Sequence, residues 1–221
     1  MLGVFIMGHI IFESSILISN EMMYKVSLFF EGYYFFGETY PGITSFLAAA
    51  IFFIFILHAG VAIRKFPNNY KQYKAMKKHT LSMKHEDTSM WVVQIITGFI
   101  MFFIGSVHLY TMMAEPSTIG PFASSMRVVY QNMAPLYFLL LISVIFHAFI
   151  GLYRLALKWG FMEGKDTKVS RRRFKILMRS MIVIYILLGL MSLMRYMYIG
   201  YSLDKDSTQR YKSEFIHLDS H

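Results

Sequence analysis

The chain has 221 residues, of which 56% are hydrophobic and 16% charged, and its mean hydropathy is +0.45. A soluble domain of this length cannot bury so much apolar surface, so the composition excludes a soluble globular protein and indicates an integral membrane protein. Because the chain has no cysteine, it cannot hold covalently attached c-type haem, thiolate-bound iron–sulfur clusters or cysteine zinc sites.

Apolar runs close to the length of about twenty residues that crosses a bilayer predict five transmembrane helices in a single domain, 1–221. These spans lie at about 1–19, 42–63, 90–114, 134–157 and 174–198. Because their number is odd, the two termini lie on opposite sides of the membrane.

The net charge of +9 is concentrated in the connections after the second and fourth spans. One carries Arg64, Lys65, Lys71, Lys74, Lys77, Lys78 and Lys84, and the other carries Lys158, Lys165, Lys168, Arg171, Arg172, Arg173 and Lys175. The positive-inside rule puts both connections and the N-terminus in the cytoplasm, and the tail from Tyr201 to His221 on the outer side of the membrane. The same charges can also form a docking surface for an acidic partner.

Two other segments have a composition of their own. The stretch from Pro67 to Lys84 mixes Lys, Tyr and Met at loosely helical spacing, which predicts an interfacial helix rather than another span. The outer loop from Glu21 to Tyr40 crowds aromatic residues around Glu31 and Glu38. These aromatic residues form either an interfacial belt or the walls of a pocket for a lipophilic ring.

Four histidines, one in each of the first four predicted spans, are the candidate functional residues: His9, His58, His108 and His147. An imidazole in hydrocarbon is costly without a partner, and two neutral histidines on opposite faces of a haem iron provide one for each other. At about 1.5 Å per residue, His58 lies in the inner half of its span and His108 in the outer half of its own, so they cannot share one iron. His147, near the middle of an inward-running span, matches His58 in depth, and His9 is left to pair with His108.

Other interpretations of these histidines remain open at this point. For a single histidine, a hydrogen bond between helices is simpler, whereas four histidines at two depths favour two haem groups. A proton relay or a transporter needs carboxylates along one path, and the cores of predicted spans two to five contain no Asp or Glu. One of the 18 methionines could replace a histidine as an axial ligand. The other histidines, His79, His85, His217 and His221, fall in loops or the tail and are interpreted as surface residues.

Several long segments of the sequence, taken in chain order, indicate a family. They are MGHIIF around His9, ILHAGVAIRKFPNNYKQY around His58, TGFIMFFIGSVHLYTMM around His108, TIGPFASSMR, and FHAFIGLYRLALKWG around His147. With them, nearly the whole chain resembles the diheme cytochrome b subunit of menaquinol:fumarate reductase and succinate:menaquinone dehydrogenase. The resemblance implies an all-α integral membrane protein in which five transmembrane helices bundle around two haem b groups. It also implies a bacterial inner membrane, with the N-terminus in the cytoplasm and the C-terminus in the periplasm. It implies the same histidine pairs that depth predicts.

The resemblance also implies partners and roles for individual residues. The chain would anchor a flavoprotein subunit containing FAD and an iron–sulfur subunit in the cytoplasm, in a dimer of heterotrimers, and pass electrons between them and menaquinone. Glu31 matches the family's glutamate beside the menaquinol site. Trp91, Arg127 and Lys158 match positions near the haem propionates. Alternative functions are the diheme b subunit of another respiratory dehydrogenase and a haem-free transporter or membrane anchor.

Two departures from the family's pattern affect the expected function. Family members extend further upstream of the first histidine, so a complete chain starting at Met1, eight residues before His9, would cover less of the haem edge near the cytoplasm. Fumarate-reducing members of the best-known branch carry a glutamate two residues before the histidine that corresponds to His147, where this chain has Ile145. The resemblance implies that this acid returns protons across the membrane alongside the electrons. Without that acid, electrons that pass from an outer quinol to fumarate inside move against the membrane potential, at a cost of about 2.3 kcal/mol per charge for 100 mV. Its absence therefore favours succinate oxidation or another proton route. The membrane potential of sealed vesicles, measured during menaquinol oxidation by fumarate, would distinguish the two.

Overall fold

The described part of the chain is built from helices. The computed structural model describes residues 1–64, 66–82, 86–161, 164, 166–204 and 211. Its helices are α1 (Leu2–Glu13), α2 (Asn20–Phe30), α3 (Tyr33–Phe36), α4 (Pro41–Ile63), α5 (Tyr70–Ser82), α6 (Glu86–Ala114), α7 (Pro121–Tyr130), α8 (Ala134–Lys158) and α9 (Thr167–Ser202). Two single 3-10 turns, Ser14–Leu17 and Pro116–Thr118, continue α1 and α6, and these described residues contain no strand. The all-α prediction is confirmed.

Four helices, α4, α6, α8 and α9, are long and apolar enough to cross a membrane, and they correspond to the second to fifth predicted spans. The first predicted span appears as the shorter apolar helical segment Leu2–Leu17. At about 1.5 Å per residue, its 16 residues reach about 24 Å, less than the hydrocarbon thickness of about 30 Å. Five spans therefore stay a prediction.

Local sequence explains where these helices begin. Pro41 and Pro121 stand in the first turns of α4 and α7, where their missing N–H groups cost no helical hydrogen bond. The carboxylate of Asp166 accepts hydrogen bonds from the N–H groups of Lys168 and Val169 and so caps α9. Helix α9 consequently begins seven residues before the predicted span, and the basic residues from Lys168 to Lys175 lie on its first turns rather than in a loop.

The connections contain more helix than the sequence predicts. The predicted interfacial helix is confirmed as a helix by α5, whereas its position at a membrane surface stays a prediction. The outer segment from Glu21 to Tyr40 is not a loop but contains α2 and α3, and α7 is a further helix that the sequence analysis did not predict. These helices are short and lack a long apolar run, so hydropathy did not mark them.

Helix α8 forms the centre of the bundle and contacts α6, α9 and α1. The main core includes Ile145 and Tyr153 from α8 together with Ile182 from α9. We call the end of the bundle with α5 and the first turns of α6 and α9 the basic end. The end with α2, α3 and α7 is the aromatic end.

Contacts at both ends fix α9 in the bundle. At the basic end, Lys175 of α9 forms an ion pair with Asp87 of α6 at 2.8 Å, and Arg179 pairs with Glu86. At the aromatic end, α7 packs so closely on α9 that a Cβ at Gly200 would lie 2.6 Å from the carbonyl oxygen of Ser125. The close contact of two helix backbones through a glycine is typical of helix packing in membranes.

Candidate functional site

The structure brings His58 of α4 and His147 of α8 together, as their depth predicts. Their ring centroids are 6.2 Å apart and the rings are nearly perpendicular, at 87°. A metal ion binds an imidazole nitrogen at about 2 Å, so two imidazoles on opposite sides of one ion have ring centres about 6 Å apart. The observed separation fits an iron between them. We call these two residues the basic-end pair.

The ring of His147 is oriented by α6. Its Nδ1 lies 2.9 Å from the backbone carbonyl oxygen of Gln94. A carbonyl oxygen only accepts, so Nδ1–H is the donor and Nε2 keeps its lone pair for a metal. Gln94 is itself held, because Arg154 donates to its side-chain oxygen at 2.8 Å. Such an orienting hydrogen bond is what metal-ligating histidines ordinarily have.

Gly98 gives His147 the room it needs. A Cβ at this position would lie 2.9 Å from Cε1 and 3.2 Å from Nδ1 of the His147 ring. The ring therefore occupies the space that any other residue at position 98 would fill. Gly98 did not enter the sequence analysis, although it stands in the segment that precedes His108.

We expect Gly98→Ala to weaken haem binding at the basic-end pair, because the added methyl group displaces the His147 ring from its hydrogen bond to Gln94. The haem-to-protein ratio of the purified variant measures this effect. Gly42→Ala is the matched control, since a Cβ at Gly42 meets no atom within 4 Å. Full haem content in both variants would contradict the role of Gly98.

The second pair, His9 of α1 and His108 of α6, has the same spacing. The ring centroids are again 6.2 Å apart, with an angle of 48° between the rings. Phe5 stacks on His9 at 5.6 Å, and Tyr137 of α8 meets His108 edge to face at 5.6 Å. Nδ1 of His108 is buried and has no hydrogen-bond partner within the part of the chain that the structure describes. We call these two residues the aromatic-end pair.

The two pairs lie at different heights in the bundle. His147 touches Gly98, and His108 follows ten residues later on the same helix. Ten residues rise about 15 Å along an α-helix, which is about half of the hydrocarbon thickness. Each pair therefore has its own site, and the two sites lie one above the other along the axis of the bundle.

The donor set of each site suits haem better than a bare metal ion. Protein sites for zinc and similar ions use three or four side-chain ligands, and no group of three or more His, Asp or Glu is found among the described residues. Two opposed histidines complete the coordination of an iron whose other ligands come from a macrocycle. The residues present therefore fit a haem at each pair.

Arg127 on α7 is a buried cation near the aromatic-end pair. Its side chain is 3% exposed, it donates to the carbonyl and the hydroxyl of Thr118, and its Nε has no partner among the described residues. A buried guanidinium is costly unless further acceptors satisfy it. Of the other two residues assigned to propionates, Trp91 is half-buried near the start of α6, and Lys158 is exposed at the end of α8.

Glu31 lies at the aromatic end, where it ends α2. It is 1% exposed, which is unusual for a carboxylate, whereas Glu38 in the same segment is exposed. The backbone N–H of Tyr40 donates to the Glu31 carbonyl at 2.9 Å and so holds the segment closed. Several aromatic side chains around it, including Phe35 and Phe36, are exposed, as either a belt or an open pocket requires.

Ile145, two residues before His147, is fully buried in the apolar core with Ile10, Phe149 and Ile182. Position 145, where the resemblance leads to an acid in fumarate-reducing members of the best-known branch, is therefore apolar here in its surroundings as well as in its side chain.

Comparisons with known proteins agree with this arrangement. The family model described as succinate dehydrogenase/fumarate reductase transmembrane subunit matches residues 70–189. The chain is 47% identical over 199 residues to the fumarate reductase cytochrome b subunit of Wolinella succinogenes, covering 90% of this chain and 78% of that protein. It is 45% identical over 218 residues to the protein of that name from one Helicobacter pylori strain, covering 99% and 84%. A second strain's protein is 49% identical over 189 residues, covering 86% and 72%. The chain therefore belongs to the succinate dehydrogenase/fumarate reductase transmembrane subunit family.

Proposed function

We propose that this chain is the quinone-reactive diheme cytochrome b subunit of a fumarate reductase or succinate dehydrogenase complex. It passes electrons between menaquinone in the membrane and the iron–sulfur subunit of the same complex. The observation that carries this proposal is the presence of two histidine pairs, each with a ring separation of 6.2 Å, at two heights of one helical bundle. The names of the relatives, fumarate reductase cytochrome b subunits, support the same function.

In this proposal His58 with His147, and His9 with His108, would each hold one haem b group. A bound haem accepts and donates one electron at a time. The protein fixes where this happens: Gln94 orients the His147 ring, and Gly98 admits it. Arg127 would neutralise a propionate near the aromatic-end pair, where its unpaired Nε is a ready donor. Near the basic-end pair, Lys158 would neutralise a propionate and the indole N–H of Trp91 would donate a hydrogen bond to one.

Glu31 is the proposed proton acceptor for menaquinol. Oxidation of a quinol releases two protons with its two electrons, and a carboxylate within hydrogen-bond reach of the quinol hydroxyl can accept one of them. Burial of Glu31 keeps competing water away from its carboxylate, and exposed aromatic rings beside it offer apolar surface for the quinone ring. The aromatic-end pair is the nearer of the two pairs to this site.

The remaining features follow the family. We infer that α1 crosses the membrane as well as α4, α6, α8 and α9, which gives five spans in all. The basic end then faces the cytoplasm, where it binds the flavoprotein and iron–sulfur subunits in a dimer of heterotrimers. The exposed basic helix α5 and the basic first turns of α9 support this orientation. Reduction or oxidation of the dicarboxylate takes place on the partner subunits.

The reduced-minus-oxidised absorbance spectrum of the purified complex, together with its haem-to-chain ratio, tests the proposed function. We expect b-type bands and two haem groups per chain, with at least part of the haem reduced by a menaquinol analogue. A protein without b-type bands would be a haem-free anchor or transporter instead. A single haem per chain would contradict the two-site arrangement.

A further inference from the structure

A carboxylate that the proposed mechanism does not use lies one helical turn beyond His9. Glu13 ends α1 and occupies position i+4 relative to His9, so both side chains are on one face of the helix. The hydroxyl of Tyr196 on α9 donates a hydrogen bond to Oε2 of Glu13 at 2.9 Å. Tyr196 is buried, at 6% exposure, and Glu13 is half-buried. The aromatic-end pair therefore has an ionisable acid beside it.

The groups around Glu13 form a small polar cluster in an otherwise apolar region. Ser192 of α9 donates to the hydroxyl of Ser14 at 3.1 Å, next to the Glu13–Tyr196 bond. Tyr137 of α8, whose ring meets His108 edge to face, packs against the buried cluster that contains Tyr196.

The charged groups on the other helices near α1 complete the electrostatic surroundings. The positive charge of Arg127 on α7 lies near Tyr137 and near His108 of α6. Helix α2 carries Glu21, whose carboxylate accepts a hydrogen bond from Tyr211, and Lys25. The only titratable side chain of α4 is His58 of the other pair. Glu13 is therefore the one carboxylate of α1 and the acid nearest in sequence to a histidine of the aromatic-end pair.

Electrostatics connects such an acid to electron transfer. An added electron is poorly screened in a low-dielectric site, so it raises the affinity of a neighbouring carboxylate for a proton. By linkage, the proton then stabilises the electron to the same extent. A carboxylate that already accepts a hydrogen bond from Tyr196 can take the proton on its second oxygen without moving.

We propose that Glu13 takes up one proton when the haem of the aromatic-end pair gains one electron, and releases it when that electron leaves. The proton comes from water at the aromatic end, where α1 terminates, and returns there. One negative charge and one positive charge enter together, so the net charge of the site is unchanged. This inference rests on the proposed function, because it requires a haem between His9 and His108.

Redox titration of each haem at several pH values tests the inference. With one proton per electron, a tenfold change in proton concentration shifts the midpoint potential by up to about 59 mV. We expect this pH dependence for the haem of the aromatic-end pair, assigned by its loss in His9→Ala, and expect it to be abolished in Glu13→Gln. The amide oxygen of Gln can still accept from Tyr196 but cannot take up a proton. An unchanged slope in Glu13→Gln would overturn the proposal.

Glu21→Gln is the matched control, because Glu21 also accepts a hydrogen bond from a tyrosine but lies on α2. Its slope should equal that of the unaltered protein. If Glu13→Gln does not assemble, the reduced-minus-oxidised infrared spectrum of the unaltered complex decides. A protonated-carboxyl band that appears on reduction and persists in Glu31→Gln supports proton uptake by Glu13. Absence of such a band overturns the proposal. Loss of haem from the unaltered protein would contradict the proposed function instead.

Discussion

His58→Ala is expected to remove one of two haem groups and leave the other in place. The side chain of His58 is exposed on α4, so its truncation leaves no cavity in the core, and the helix keeps its contacts with α6. The basic-end pair would lose one of the two histidines proposed to hold its haem, whereas the aromatic-end pair would keep both. Haem content per chain should fall from two to one, and one of the two components of the redox titration should disappear.

The reciprocal variant and a control make this result specific. His9→Ala should remove the other redox component and leave the one that His58→Ala abolishes. His217→Ala is the control, since His217 lies in the polar tail, outside the predicted spans and outside the described residues. Loss of the same component in His58→Ala and His9→Ala would contradict the two-pair arrangement.

Glu31→Gln is expected to slow menaquinol oxidation by about 100- to 10,000-fold, the usual contribution of a general base, while both haem groups remain bound. The amide keeps the size of the buried side chain but cannot accept a proton. Reduction of haem by dithionite should be unaffected, because that reaction bypasses the quinol. The ratio of the quinol-driven rate to the dithionite-driven rate measures the effect.

Glu38→Gln provides the comparison within the same segment. Glu38 is exposed and its carboxylate is 3.2 Å from the hydroxyl of Tyr40. Removing its charge should leave the quinol-driven rate within a few-fold of the original. Equal losses in both variants would point to the net charge of the segment, and no loss in Glu31→Gln would exclude Glu31 as the proton acceptor.

The long helices could be predicted from sequence because the bilayer sets their length. The predicted span 134–157 and α8, Ala134–Lys158, differ by one residue at one end. Hydropathy does not show where a helix continues into water, so α9 begins at Thr167 rather than at residue 174. Helix α7, which carries Arg127, has charged and polar residues in a short segment, and its position depends on packing against α9.

The histidine pairs could be predicted in a similar way, because the depth of a residue in a membrane helix follows from counting residues. What surrounds each ring could not be predicted, because it depends on how the helices are rotated about their axes. The backbone carbonyl of Gln94 and the missing side chain of Gly98 become contacts of His147 only when α6 and α8 are packed together. Burial of Glu31, which stands between α2 and α3, likewise depends on how these helices pack, which the sequence alone does not show.

Helix α4 is held to the rest of the protein more loosely than its length suggests. It packs mainly against α6, and of its 23 residues, all of them described, Phe55 is the one that is buried. A haem gripped between His58 and His147 would tie α4 to α8, and because it binds the folded arrangement alone, it would stabilise that arrangement by mass action. The biogenesis of the subunit would then depend on haem supply. In a haem-starved cell, α4 would be held mainly by its contacts with α6, without a link to α8, and would be the long helix most exposed to membrane proteases.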